Sequence, residues 1–479
     1  MTLPKTLIST AALGTAQHEP EALDPDTPLA ALVAQLDPSD RAARLLAAAA
    51  ALTLQQQAGW LPPHDHRPLP TACPPDSAPL CGPRAIRQLM IMLDGHYADV
   101  LHEWLVEVAN AGLRAPEEAL PLLLNAGRKR PDLREPIAPV LGNRGRWLAA
   151  QGKDQHWQWA STFNIGKHWD GWTTETRVMA LESLRRADPV AARQIVIDQW
   201  EPQDWKACVE LLKCFCVRLS MADEPFLESL LESGSPEVRH AAADLLGNLP
   251  NSRLSQRMCE RAIPYTGLTK VGLRRQLAIT LMPPDTITTE MLHDVGALGG
   301  TSENSVGGQW LECVLRVVQP TFWLSHWNIS YDELFEAAAN SKQSALLYNA
   351  WAMAAQRISD FEFIERLALD LLRRYDKGFR DNHPALSILN EYTQPWSAEL
   401  TRALLVSLQQ ALTNGVARTR LPIILLKLSL YVPVDMANEI VETLREKTTS
   451  EKSWTVLVDE IRLLLDFRRD VLSAIRNKE

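Results

Sequence analysis

An all-α fold is predicted, a HEAT-like helical-repeat solenoid with additional helical N- and C-terminal regions. Three features of the sequence predict it. Apolar residues recur three and four apart over most of the chain, no segment alternates convincingly at a period of two, and one helix-pair unit returns at steps of roughly thirty residues. The clearest copy is SPEVRHAAADLLGNLP, Ser235 to Pro250. Ser235 suits an N-cap, Pro236 the first turn and Glu237 the positive end of the helix dipole. Val238, Ala241, Ala242, Leu245, Leu246 and Leu249 then make one apolar stripe, which Pro250 ends. Its small Ala residues admit a neighbouring helix closely, and such a helix needs flanking copies to bury its face.

Taken in order, the chain reads as five regions. Residues 1–62 are an N-terminal helical region, with helices over 28–36 and 38–58. Leu7 to Ala16 is mildly apolar but broken by Ser9, Thr10, Gly14 and Thr15, and reads as a first helix of the fold and not a leader. Residues 63–83 are a Pro-rich linker or wrapped loop, because consecutive prolines exclude regular structure. Residues 84–281 are helical, with Gly95, Gly112 and Gly127 at helix ends. Within them, starts near Thr174, Gln203 and Pro236 mark one set of helices, and starts near Pro189, Pro225 and Ser252 mark the partner set. Arg177 and Arg239 follow two of these starts and are expected to ladder to acidic residues of adjacent repeats. Residues 282–308 form a Gly-rich insertion, and residues 309–479 a C-terminal helical region.

The formal charge of −9 disfavours general binding to nucleic acid or anionic membrane. Seven Cys, an odd number set mostly inside helices, indicate reduced thiols and a cytoplasmic location. No cofactor motif is present: Walker A, HExxH, GxSxG, CxxC and the dinucleotide fingerprint are all missing. His64, His66, Cys73 and Cys81 carry zinc-ligating atoms. Their spacing is too loose for a zinc motif, and a plain loop is the favoured reading. The stretch 147–172 gathers Trp147, Trp157, Trp159, Trp169 and Trp172 with Asp154, His156, His168 and Asp170. It reads as packing at a helical junction; the alternative is an acid–base site. Arg128, Arg130, Arg144 and Arg146, with Trp147, form a cationic set suited to an acidic partner surface or phosphate.

LGNRGRWLAAQ (141–151), ALGT near the N-terminus, Trp172 with Arg177 and Asp188-Pro189, and EPFLESLLESGSPEVRHAAADLLGNLPNSRLSQRM together resemble an uncharacterised bacterial helical-repeat family. Its members are encoded beside MoxR-type AAA ATPases, von Willebrand A-domain proteins and SWIM zinc-finger proteins. The resemblance thins after about Gln309. It brings no catalytic residues, and it implies a partner in an ATPase-driven assembly. The charged residue usual after the family's first Gly-Thr is replaced here by Ala16 and Gln17. The expected function is therefore a non-enzymatic protein-interaction scaffold. The alternatives are a nucleic-acid-acting HEAT-like protein and an enzyme using residues 147–172.

Overall fold

Short polar side chains set the helix starts. Thr173 Oγ1 accepts the Thr176 N–H, Asp188 Oδ1 those of Val190 and Ala191, Asp204 Oδ1 that of Ala207, Ser235 Oγ that of Val238, and Ser252 Oγ that of Ser255. Ser330 and Glu333 form a reciprocal capping box. The computed structural model describes residues 5–16, 28–37, 39–58, 70–151, 155–160, 169, 172–291, 306–374, 383–413, 421–447 and 452–477. They are mostly helical, with one small two-stranded sheet. Most of the insertion expected at 282–308 lies outside the described residues.

The chain forms two compact units, Met1–Thr71 and Ala72–Glu479. The first holds α1 (Lys5–Leu13), α2 (Pro28–Ala34) and α3 (Arg41–Ala58), around Leu7, Leu45 and Ala48. The second begins with an irregular segment that packs as part of the helical body. Arg114 N–H donates to the Pro79 carbonyl at 2.9 Å and Cys81 N–H to the Arg114 carbonyl at 3.0 Å.

Helices then follow as α4 (Pro83–Leu93), α5 (Leu101–Asn110), α6 (Leu120–Lys129), α7 (Arg134–Val140), α8 (Gly142–Gln151), α9 (Thr174–Ala187) and α10 (Pro189–Asp198). They continue with α11 (Trp205–Lys213), α12 (Glu224–Ser229), α13 (Pro236–Gly247) and α14 (Arg253–Ala262). After the sheet come α15 (Val306–Leu315), α16 (Pro320–Trp327), α17 (Tyr331–Ala339), α18 (Ser344–Arg357), α19 (Phe361–Arg374) and α20 (Pro384–Glu391). The last four are α21 (Ala398–Thr413), α22 (Leu421–Tyr431), α23 (Ala437–Lys447) and α24 (Lys452–Arg476).

Neighbouring helices pack in sequence. α9 pairs with α10 and stacks on α11, α11 on α13, α14 on α15, α15 on α18, α19 on α21, and α21 on α23. The final helix α24 covers α22 and α23 and returns to α4 and α5, so the contacts of this unit close into a circuit. Its Val458, Ile461 and Leu465 enter the core of the middle helices. Its Val471, Ala474 and Ile475 enter a second core with Leu89, Trp104 and Val108. The short 3-10 helix Gln155–Ala160 joins α6 and α8 to α9. There Trp159 lies over Gly127, where any side chain would collide with the indole, and its Nε1 donates to the Leu124 carbonyl at 3.3 Å.

Two expectations are corrected. The region read as helical through residue 281 ends in an antiparallel hairpin, β1 (Thr266–Val271) and β2 (Gln276–Leu281), with Thr266 opposite Leu281 and Val271 opposite Gln276. The alternation is hidden because consecutive Ala278 and Ile279 are both buried, with β2 packed on α17. Among the described residues, Arg177 and Arg239 do not ladder to acidic residues. Each folds back on the segment entering its own helix: Arg177 Nε donates to the Trp169 carbonyl at 3.1 Å and Arg239 Nη1 to the Ser233 carbonyl at 2.6 Å. Other arginines pair with acidic residues of separate helices, among them Arg185–Asp223 at 2.9 Å, Arg257–Glu228 at 2.6 Å, Arg357–Asp244 at 2.9 Å and Arg402–Glu439 at 3.1 Å.

Candidate interaction groove

The stripe of α13 divides. Val238, Ala242, Leu245, Leu246 and Leu249 are buried, whereas Ala241 is half-buried. A cleft of about 570 Å³ lies between α11 and α13, with Ala241 in its wall. Val209, Leu212, Ala241 and Leu245 give it an apolar wall; Lys213, Cys216, Glu237, His240, Asp244 and Asn248 supply polar positions. An apolar cleft with a few convergent polar groups is the usual form of a binding site.

Asp244 is the fixed polar point. Arg357 Nη2, from α18, donates to its Oδ1 at 2.9 Å, and Arg357 Nη1 reaches the Asp244 carbonyl at 3.2 Å. One turn earlier, His240 Nε2 lies 3.3 Å from Asp244 Oδ2. Lys213 is steered by Glu210 at 2.6 Å, and Ser235 Oγ donates to Glu237 at 2.8 Å, which holds the Glu237 carboxyl below its ordinary range.

Cys216, His240 and Asp244 share this cleft, which invites a nucleophile–base–orienter reading. The thiol argues the other way. Partial desolvation pushes the Cys216 thiol up, although its side chain reaches the surface, and no hydrogen bond joins it to His240. A nucleophilic Cys requires a lowered value. Burial likewise raises Cys214 to about 12 and Cys259 to about 11. A second cleft of about 260 Å³ lies among α18, α19 and α20, lined by Asn349, Met353, Gln356, Ile388 and Tyr392.

The cationic set read from the sequence sits on α6, α8 and the α6–α7 connection, and α6 packs on α8. Arg130 pairs with Asp132 at 2.8 Å, Arg144 with Glu117 at 2.7 Å, and Arg146 Nη2 reaches the Ala138 carbonyl at 3.5 Å. Arg128 is exposed on the last turn of α6, and Trp147 is half-buried. Of the zinc candidates, His64 and His66 lie outside the described residues. Cys73 is half-buried, and Cys81 is buried, its thiol raised by burial to about 11. Among the described residues no three metal-ligating side chains gather. In the stretch 147–172, Asp154, His168 and Asp170 lie outside the described residues, and His156 lies in the short helix Gln155–Ala160. Trp159 and Trp169 are buried, Trp157 Nε1 donates to Asn125 at 3.0 Å, and the Arg177 guanidinium lies 5.1 Å over the Trp169 ring. No helix among the described residues is long and apolar enough to cross a membrane.

Comparison with curated proteins and with solved structures gave no match. A family model matches residues 6–369 and 362–475, so the relationship continues well past Gln309. The chain belongs to that family, DUF5691, a family of unknown function.

Proposed function

We propose that the chain is a non-enzymatic protein-interaction scaffold, a HEAT-like helical array that docks a segment of a protein partner in the α11–α13 groove. The observation that carries this reading is the groove itself: an apolar wall beside polar positions anchored by the Arg357–Asp244 pair. Such a wall suits the apolar face of a partner helix or an extended segment. The resemblance to proteins encoded beside ATPase genes makes a MoxR-type AAA ATPase and a von Willebrand A-domain protein the partners to test, with the assembly in the cytoplasm. The acidic net charge supports a protein partner over a polynucleotide.

The test is co-purification of the chain with each purified partner, without nucleotide and with ATP or ADP. Val209→Glu and Ala241→Glu place a charge on the apolar wall and are expected to weaken the complex about tenfold or more. Both positions are only partly buried, so circular dichroism should show the helical content unchanged. Absence of a complex in every nucleotide state, or a complex indifferent to both variants, contradicts the proposal.

A further inference from the structure

The β1–β2 hairpin contributes no residue to the groove. Its base is fixed: Ala278 and Ile279 are buried, β2 packs on α17, and Asn340 Nδ2 donates to the Leu277 carbonyl at 2.9 Å. From Thr269 to Gln276 every residue is exposed. The tip carries Lys270, Arg274 and Arg275, none of which forms an ion pair among the described residues, beside Leu273 at 106% relative exposure. Gly272 takes φ +71° and Arg275 φ +51°. The Arg275 N–H donates to the Gly272 carbonyl at 3.2 Å, so both values belong to the turn that closes the hairpin. In a chain of net charge −9, the tip gathers three cations that meet no carboxylate among the described residues around one fully exposed leucine.

We infer that this hairpin tip is a docking finger for an acidic protein surface, with Leu273 entering an apolar pocket and Lys270, Arg274 and Arg275 meeting carboxylates around it. Charge complementarity selects an anionic partner, and the leucine selects among anionic partners. A nucleic-acid finger of this kind would be expected to carry an aromatic side chain for stacking, and residues 266–281 contain none. Leu273, the exposed Val271 and three cations also fall short of the paired signals that hold a protein on a bilayer. An acidic pocket with an apolar floor uses all four side chains at once, the cations giving steering and the leucine the anchor.

The inference is tested on the full chain with three probes: a random Glu–Tyr copolymer, duplex DNA, and vesicles of phosphatidylcholine with phosphatidylglycerol. Poly-glutamate serves as a charge-only control. The wild type is expected to bind the Glu–Tyr copolymer more tightly than poly-glutamate, and to weaken as salt rises. Leu273→Ser should remove the preference for the copolymer. The double variant Arg274→Glu, Arg275→Glu should weaken binding about tenfold or more to both polymers. Unchanged circular dichroism confirms that these exposed positions do not carry the fold. No copolymer binding by the wild type, equal binding by the variants, or tighter binding to DNA or vesicles overturns the inference. Val209→Glu, in the groove, should leave this binding unchanged, so failure of the finger and failure of the groove are separable.

Discussion

Asp223→Ala is expected to destabilise the second unit by about 3–5 kcal/mol, read as a lower urea midpoint by circular dichroism, because it strands a buried guanidinium. Arg185 and Asp223 both have 0% side-chain exposure. Arg185, on α9, donates from Nη2 to Asp223 Oδ2 at 2.9 Å, from Nε to the Val217 carbonyl at 2.7 Å and from Nη2 to the Arg218 carbonyl at 3.1 Å. Its guanidinium lies 4.5 Å over the Phe215 ring. Asp223 also accepts from Arg193 on α10 at 2.9 Å and from the Ser220 N–H at 3.0 Å. One carboxylate thus ties α9 and α10 to the turn that opens α12. An exposed ion pair would contribute far less.

The same site gives a pH dependence. Burial alone would push the Asp223 carboxyl up, but hydrogen bonds from Arg185 and Arg193, the charge of Arg185 and the Ser220 N–H outweigh it and hold the carboxyl below its ordinary range. A carboxyl depressed in the folded state contributes stability that is present above the unfolded value, about pH 4, and is lost as pH falls through the folded value. Wild-type stability should therefore decline below about pH 4, and Asp223→Asn should flatten that part of the profile. An unchanged acid limb would show that the carboxylate is not the group being titrated.

The second large effect is expected at the closure of the circuit. Arg468, 5% exposed, is held by four hydrogen bonds. Nε and Nη2 donate to the two carboxylate oxygens of Glu103, each at 2.7 Å, and Nη1 donates to the Ser429 and Val432 carbonyls at 2.8 and 3.0 Å. Nearby, Asp470 accepts from Arg84 and Gln88, and Tyr97 stacks on Phe467 at 4.4 Å. Arg468→Ala leaves a carboxylate and two carbonyls without their donor, at a cost of about 3–5 kcal/mol. Glu103→Ala strands the buried Arg468 guanidinium and should cost a similar amount, and the two should couple by about 1–3 kcal/mol although they stand 365 positions apart in the chain. Amide exchange in α4 and α5 should accelerate in Arg468→Ala. Additive effects of the two variants would mean that α24 does not close on α5.

The local rules in the sequence reached the individual helices and stopped short of their assembly. Ser235, Pro236 and the stripe through Leu249 identify α13 because caps and a 3.6-residue period are properties of neighbouring residues. Pro320–Trp327 and Pro384–Glu391 are too short to stand out by period within the helical region 309–479. The start of α8 is capped from far upstream, by Asp76, which accepts the Asn143 N–H and, at 3.3 Å, that of Arg144. Arg185 reads along the chain as one more helical arginine; only the fold shows that it is wholly buried while Arg177 and Arg239 serve their own helix starts. Half of the groove was present in the Ala241 stripe. Its other wall on α11 and the Arg357 that fixes Asp244 are supplied by distant segments.

The docking claim is tested most directly by hydrogen exchange on the full chain, alone and with the purified ATPase and A-domain proteins, read in peptides covering 205–217 and 236–248. Slowed exchange is expected in both peptides when a partner is bound, with loss of that protection in Ala241→Glu. Unchanged exchange in both peptides while a partner is bound would contradict it.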